Sequence, residues 1–297
     1  ALRRANNSWI VPPKRGRHLP WWPHRMNESP DGRVTVAAGA FRVGIHADPK
    51  NFSAYGWHDA PGLPADLELH FESASERRFT GPPTLSWREH GFSLQGEWVR
   101  GTVDLRARTG HFCLHLQPGQ VLSAARLGVL EASIATLMSL VLRRGGLLLH
   151  AATIEIDGRA VVVVGESGRG KTTLCQRFPN HFLNEEYAFL APTGPNGTWE
   201  AHWYAQERGP TTERPSVLPM GRLCLLSPRR SRTAVLAATN AEALATLHGA
   251  SLWVHGVPPA LQLGGMERLL SNFSPIWLEH DLACANRQLI AVLRSPK

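Results

Sequence analysis

The sequence predicts an α/β protein of more than one domain, and three observations lead to that prediction. Residues 34–117 contain short alternating apolar and polar runs between Gly and Pro clusters, which is typical of a small antiparallel β region. From residue 121 onward, segments with helical periodicity alternate with apolar strand-like runs. One of these runs leads into a glycine-rich loop and then a helix. At 297 residues, the chain is long enough to bury a sizeable core.

The composition and the order of patterns divide the chain into three segments: an arm at 1–33, a β-rich region at 34–120 and an α/β domain at 121–297. The arm holds seven arginines or lysines against two acids, together with Trp9, Trp21 and Trp22. Such a segment can contact nucleic acid, an acidic peptide or an anionic surface. No nucleic-acid motif accompanies the charge, so the sequence favours a Pro-rich tail that packs its tryptophans on its own domain.

Strands are predicted at residues 33–37, 66–71 and 102–107, followed by one long helix. Ser123 is predicted to cap that helix, and Gly145 to end it. Its apolar residues lie on one face: Leu127, Leu130, Ile134, Leu137, Met138 and Val141. The helix is expected to bridge the two halves of the chain. Its apolar run is interrupted by Glu131 and by hydroxyl residues, which argues against a membrane span.

The α/β domain continues with a hairpin at residues 153–159, whose Asp157-Gly158 pair predicts a type I′ turn. Further strands are predicted at 160–164, 182–190, 222–226 and 276–279. Helices are predicted at 171–178, after Thr239 and at 285–293. Thr239 and Glu242 form a capping-box pattern at the start of the second of these helices, and Gly249 is its predicted stop.

Residues 165–172 read Gly-Glu-Ser-Gly-Arg-Gly-Lys-Thr and match the phosphate-binding pattern G-x-x-x-x-G-K-S/T between a strand and a helix. The glycines let successive backbone N–H groups point at phosphate oxygens. Lys171 would reach the β and γ phosphates, and the Thr172 hydroxyl would bind Mg²⁺. The predicted nucleotide-binding residues are Gly165, Glu166, Ser167, Gly168, Arg169, Gly170, Lys171, Thr172 and Thr173.

The order of Leu-Leu-His at 148–150, a hairpin, this loop, and Phe-Leu-Asn-Glu-Glu at 182–186 resembles the catalytic half of HPr kinase/phosphorylase and its kinase-like relatives. The resemblance spans residues 145–226 and implies a P-loop kinase-like domain of HPr-kinase type. It implies His150 beside the transferring phosphoryl group, Lys171 on the phosphates and Thr172 on the metal. Glu185 and Glu186 stand where the family has two aspartates, one a base toward the acceptor hydroxyl and the other a helper in metal binding.

The resemblance therefore implies an ATP-dependent or other NTP-dependent kinase. With Mg²⁺, it would transfer the γ-phosphoryl group to a serine or threonine hydroxyl of a peptide or small protein. We expect Glu185 to accept the hydroxyl proton and Glu186 to assist the metal, but the sequence does not decide which acid has which role. The phosphatase-loop motif of true HPr kinases is not recognisable, so neither phosphorolysis nor HPr as substrate is carried over.

Two other functions stay open: a regulatory NTP-binding or NTPase module without an acceptor, and a small-molecule kinase. A GTPase is disfavoured because the chain has no Asn-Lys-x-Asp sequence. The four cysteines form no CxxC pair and no secretory h-region is visible, which predicts a reduced, cytoplasmic protein. A homo-oligomer also stays open.

The remaining candidates are weaker. His111, Cys113 and His115 alternate along one strand face, where a packed face is favoured over zinc. The arginines of segment 228–232 favour a solvated loop over a grip on an acidic or phosphorylated substrate. Arg214 and Arg222 are candidates for an arginine that assists phosphoryl transfer.

Overall fold

The computed structural model describes most of the chain between residues 33 and 294. The described ranges are 33–38, 41–46, 65–74, 84–115, 121–178, 181–184, 187–193, 197–202, 217–227, 233–251, 257–281 and 285–294. Apart from Arg33, the predicted basic arm lies outside them. The described residues form two compact units, the first around Phe41–Leu137 and the second around Met138–Leu252 and Pro258–Lys297.

The first unit contains a seven-stranded sheet. Its strands in chain order are β1 (Arg33–Ala38), β2 (Phe41–His46), β3 (Leu67–Ala74), β4 (Thr84–Arg88), β5 (Gly91–Gln95), β6 (Val99–Asp104) and β7 (Thr109–His115). They lie in the order β1-β2-β3-β7-β6-β5-β4. The pairings from β7 through β4 are antiparallel, as predicted for most of this region, whereas β2, β3 and β7 pair in parallel.

Alternation places one face of this sheet in a core, where Leu69, Val103 and Phe112 are buried. The predicted strand at 102–107 ends earlier than expected, at Asp104. The Asp104 carboxylate accepts hydrogen bonds from the backbone N–H groups of Arg106 and Ala107, which bends the chain into a turn.

Helix α1 (Val121–Arg143) follows, and it begins two residues before the predicted Ser123 cap. It ends as predicted: Gly145 has a φ of 74°, and the N–H of Gly146 returns to the carbonyl of Val141. The units divide inside α1, after Leu137, so this helix contributes residues to both; the sequence-based boundary at 120 precedes it. Among the described helices, none has the length and hydropathy that crossing a membrane requires.

The second unit is built on a nine-stranded mixed sheet. Its strands are β8 (Leu147–Leu149), β9 (Ala151–Ile156), β10 (Arg159–Val164), β11 (Phe182–Asn184), β12 (Ala188–Thr193), β13 (Thr198–His202), β14 (Val217–Leu226), β15 (Ala234–Ala237) and β16 (Ile276–Glu279). Seven follow the order β11-β9-β10-β14-β13-β12-β8, while β16 pairs with β14 and β15. Strands β10, β14 and β16 run parallel, and the other pairings are antiparallel.

The β9–β10 hairpin is confirmed, with φ values of 53° at Asp157 and 72° at Gly158, as a type I′ turn requires. The single strand predicted at 182–190 is wrong, because it is two strands with different neighbours: β11 pairs with β9, and β12 with β13 and β8. A continuous apolar run cannot reveal such a change of partner. Strand β14 also begins five residues before its predicted start.

The helices of the second unit are α2 (Lys171–Gln176), α3 (Asn240–Ala250), α4 (Pro259–Asn272) and α5 (Asn286–Arg294). Leu174 of α2 and Leu289 of α5 belong to the core that also holds Val163 and Leu278 of the parallel strands. The capping box at the start of α3 is confirmed, but Gly249 lies inside that helix instead of ending it. Helix α2 is shorter than predicted, and α4 has no counterpart among the predicted elements.

Candidate phosphate-binding site

The parallel strands β10, β14 and β16 end at one edge of the second sheet. Val164 pairs with Leu225 of β14, and Leu225 in turn pairs with Trp277 of β16. The glycine-rich loop follows β10, while Ser227 follows β14 and His280 follows β16. In open α/β sheets, ligands bind outside the carboxyl ends of the parallel strands. The predicted loop therefore lies at the edge where that rule expects a ligand.

The backbone of the loop favours glycine at two positions and leaves little room for a side chain at a third. Gly168 and Gly170 have φ values of 80° and 103°, in the left-handed region that other residues seldom adopt. Gly165 is buried beside the end of β14, and a Cβ atom there would lie 3.0 Å from the Cβ of Leu226. The loop thus turns twice through left-handed backbone before α2 begins at Lys171.

Lys171 is buried, and its Nζ donates to the carbonyl oxygens of Gly165 at 2.6 Å and of Glu166 at 3.2 Å. The ammonium is therefore folded back over the start of its own loop. Thr172 and Thr173, the next two residues of α2, are exposed. A hydroxyl in this position is accessible to a metal ion or a phosphate oxygen from solvent.

The loop also contains an ion pair. The guanidinium of Arg169 donates from Nε at 3.0 Å and from Nη2 at 2.5 Å to one carboxylate oxygen of Glu166. Glu166, Ser167 and Gly168 are exposed, while Arg169 is half-buried. The sequence named both charged residues as part of the loop but did not predict that they pair.

The C-terminal end of helix α2 is hydrogen-bonded to residues more than 100 positions later in the chain. Arg177, directly after α2, donates from Nε to the Asn286 side-chain oxygen at 2.9 Å, and its Nη1 lies 3.3 Å from Nε2 of His280. The Asn286 amide donates in return to the carbonyl oxygen of Arg177 at 2.9 Å. No local motif indicates this contact, because its partners meet only through tertiary packing.

His150 is half-buried at the junction between β8 and β9. Its backbone N–H donates to the carbonyl of Ala250 at 2.7 Å. Its ring meets the ring of Tyr187 edge-on, with 6.3 Å between the centroids. Glu185 and Glu186 lie outside the described residues. Tyr187, which follows them in the chain, is thus a neighbour of the predicted His150.

Asn184, which precedes the acidic pair, is fully buried. Its side-chain amide donates to the backbone carbonyl of His202 at 3.0 Å. The backbone carbonyl of Asn184 accepts from the Cys175 thiol of α2 at 3.6 Å. Desolvation by burial, with a smaller contribution from the positive charge of Arg144, lowers the pKa of His202 to about 4. The end of β11 is therefore joined directly to the helix that carries Lys171.

The remaining sequence candidates lie on other elements or outside the described residues. His111 is exposed and stacks on His70, while the Cys113 thiol donates to a carboxylate oxygen of Glu72 at 3.0 Å. Among the described residues, no three His, Cys, Asp or Glu side chains are grouped so that they could hold a metal ion. Arg222 lies on β14. Arg214, Arg229, Arg230 and Arg232 lie outside the described residues.

The second unit is thus an α/β unit with a P-loop sequence motif between a parallel strand and a helix. One family model, described as SynChlorMet cassette protein ScmC, matches residues 123–214. That segment is about a third of the chain and includes the loop, His150 and the two predicted acids. The chain is similar to this family over that segment. No curated protein matches the chain.

Proposed function

We propose that this protein is an ATP-dependent kinase of the HPr-kinase-like P-loop type. It would transfer a γ-phosphoryl group to a serine or threonine hydroxyl of a peptide or small protein. The observation that carries the proposal is the segment 165–172, a complete phosphate-binding motif with left-handed Gly168 and Gly170, at the carboxyl edge of the parallel strands. The match to the ScmC family includes this loop, although the description of that family names no activity.

Lys171 supplies the cation that the proposal needs. Its Nζ lies on the carbonyls of Gly165 and Glu166, which are weaker partners for an ammonium than a phosphate oxygen. Binding of a triphosphate would draw Nζ from the loop to the β and γ phosphates. Thr172 would hold Mg²⁺ through its exposed hydroxyl, and the ion would neutralise phosphate charge there.

The acid–base part of the proposal rests on the segment around His150. The described residues on either side of the acidic pair lie antiparallel to the segment that holds His150, since Asn184 of β11 pairs with Thr153 of β9 and Ala188 of β12 pairs with Leu149 of β8. One of Glu185 and Glu186 would accept the proton of the acceptor hydroxyl, and the other would assist the metal. His150 would donate a hydrogen bond to a phosphoryl oxygen and act through position and charge.

A label-transfer assay tests the proposal. The protein is incubated with γ-labelled ATP, Mg²⁺ and, in separate reactions, a peptide fraction and a small-molecule fraction of the host. We expect label on a peptide hydroxyl, no transfer with Lys171→Ala, and a loss of about 100-fold or more with Glu185→Gln. Glu267→Gln, an exposed change on α4, is the matched control and should transfer normally.

The outcomes separate the alternatives. Transfer that survives Lys171→Ala contradicts the mechanism. Label found only on a small molecule supports a small-molecule kinase instead, and hydrolysis without any labelled acceptor supports a regulatory NTPase module. Transfer that Lys171→Ala abolishes but Glu185→Gln leaves intact assigns the base to Glu186.

A further inference from the structure

The Glu166–Arg169 pair spans the middle of the loop, with Ser167 and Gly168 between its partners. Both donor nitrogens of Arg169 converge on one carboxylate oxygen, and the Arg169 backbone N–H donates to the Glu166 carbonyl at 3.3 Å. Together with the bonds of Lys171, this means that the two cations of the loop are both held by oxygens of the loop itself.

This ion pair is exchangeable. The Glu166 side chain is 76% exposed and that of Arg169 is 35% exposed, so water competes with the contact. Exposed pairs of this kind contribute little to stability. A guanidinium binds phosphate at least as well as carboxylate, and a triphosphate offers several oxygens at higher charge density. An anion that enters the loop therefore competes with Glu166 on favourable terms.

We propose that Arg169 is a second phosphate-binding side chain of the loop, and that it stays paired with Glu166 until the triphosphate displaces the carboxylate. The inference rests on the proposed function, because it assumes that the loop binds a nucleotide. It adds a side-chain role at a position where the motif itself specifies no residue. Removal of Glu166 should then favour binding, because the triphosphate no longer competes with that carboxylate for Arg169, while removal of Arg169 should weaken binding.

A simpler account gives Glu166 a role without any exchange: its negative charge repels the phosphates through space. The two accounts differ when Arg169 is absent. If Glu166 acts by occupying Arg169, Glu166→Gln has no effect once Arg169 is gone. If it acts by repulsion alone, the effect of Glu166→Gln is the same in both backgrounds.

The test is a double-mutant cycle measured by calorimetric titration with Mg·ATP. We expect Glu166→Gln to tighten binding about 2- to 5-fold, and Arg169→Gln to weaken it about 10-fold or more. The double variant should bind like Arg169→Gln alone, within about 2-fold. Arg294→Gln removes another exposed two-bond ion pair, with Asp157 at the hairpin turn, and should leave the affinity unchanged.

The outcomes distinguish this inference from the proposed function. If neither the wild type nor any variant binds Mg·ATP, the proposed function and the exchange of Arg169 are both overturned. A second outcome is that the wild type binds Mg·ATP, Lys171→Ala does not, and Glu166→Gln gives the same gain in affinity with and without Arg169. In that case the exchange is overturned, and the nucleotide site stands. Unchanged affinity in Arg169→Gln would also overturn the exchange alone.

Discussion

Glu131 in helix α1 is a carboxyl group 5% exposed, and burial raises its pKa to about 7 against a smaller opposing effect of a backbone hydrogen bond from Trp98. Its Oε2 atom has no hydrogen-bond partner among the described residues. A Cβ atom on Gly96 would collide with this carboxylate. Glycine at position 96 therefore leaves the space that the buried carboxyl group occupies.

The raised pKa of Glu131 predicts a pH-dependent stability. Between the ordinary value of 4.5 and about 7, the folded protein keeps a proton that the unfolded chain releases. Stability associated with this group is therefore complete below pH 4.5 and is lost as the pH rises to about 7. Glu131→Gln should make the protein more stable above pH 7, by on the order of 3 kcal/mol at most.

Chemical unfolding of both proteins at pH 5 and pH 8 measures this effect. The gain from Glu131→Gln should be several-fold larger at pH 8 than at pH 5. An equal difference at both pH values would show that the carboxyl group titrates normally.

At the residue scale, the sequence was sufficient to predict the position of the glycine-rich loop but not the contacts that surround it. The glycine-rich turn between β10 and α2 was predictable, because the motif specifies those residue types at that spacing between a strand and a helix. The contact of Arg177 with His280 and Asn286 was not, since no periodicity links residues more than 100 positions apart. The Glu166–Arg169 pair has ordinary three-residue spacing, but a loop gives no rule that such residues meet.

Three neighbouring strands of the first sheet carry a row of stacked histidines. His46 of β2 and His70 of β3 stack at 4.4 Å between ring centroids, and His70 and His111 of β7 at 5.2 Å. The parallel register places all three side by side. Burial, then the charges of His46 and His111, lower the pKa of His70, against a smaller opposing effect of Glu68.

The histidine row predicts coupled titration of its central member. Because His70 has a lowered pKa in the folded protein, its contribution to stability is lost as the pH falls below 6.5. His46→Gln should raise the pKa of His70 measured from ring proton shifts by NMR, whereas His90→Gln, outside the row, should not. An unchanged His70 titration in His46→Gln would contradict coupling through the row.

Two glycines in left-handed backbone, one inside the phosphate loop and one outside it, allow the effect on nucleotide binding to be separated from the effect on stability. Gly170→Ala and Gly158→Ala both place a side chain at positive φ, so each should lower the free energy of unfolding by about 1–2 kcal/mol. Only Gly170 belongs to the phosphate loop, so only Gly170→Ala should weaken Mg·ATP binding. Denaturant titration and calorimetry measure the two effects. Equal affinity losses in both variants would contradict a local role for Gly170.

At the element scale, patterns with local causes were predicted best. The type I′ hairpin and the capping box of α3 depend on residues close in sequence, and both are confirmed. The split of the predicted 182–190 strand into β11 and β12 depends on which strands lie beside it. Apolar residues suit both strands equally, so the sequence does not mark the break.

For the whole molecule, the sequence predicted a mixed α/β chain with a mainly antiparallel N-terminal sheet, and the structure has this form. It did not predict the parallel pairing of β2, β3 and β7 or the division inside α1. Parallel neighbours come from distant parts of the chain. Residues 131–142 of α1 are buried on nearly every side, so this part of the helix has no single apolar face. Such features are decided by packing.

The central claim is that residues 165–172 bind the phosphates of a nucleotide, and backbone amide NMR with added Mg·ATP tests it most directly. We predict shifts concentrated in the amides of this loop and the first turn of α2, and their loss in Lys171→Ala. The folded spectrum of that variant should otherwise be retained. Absent shifts, or shifts confined to other parts of the chain, would contradict the claim.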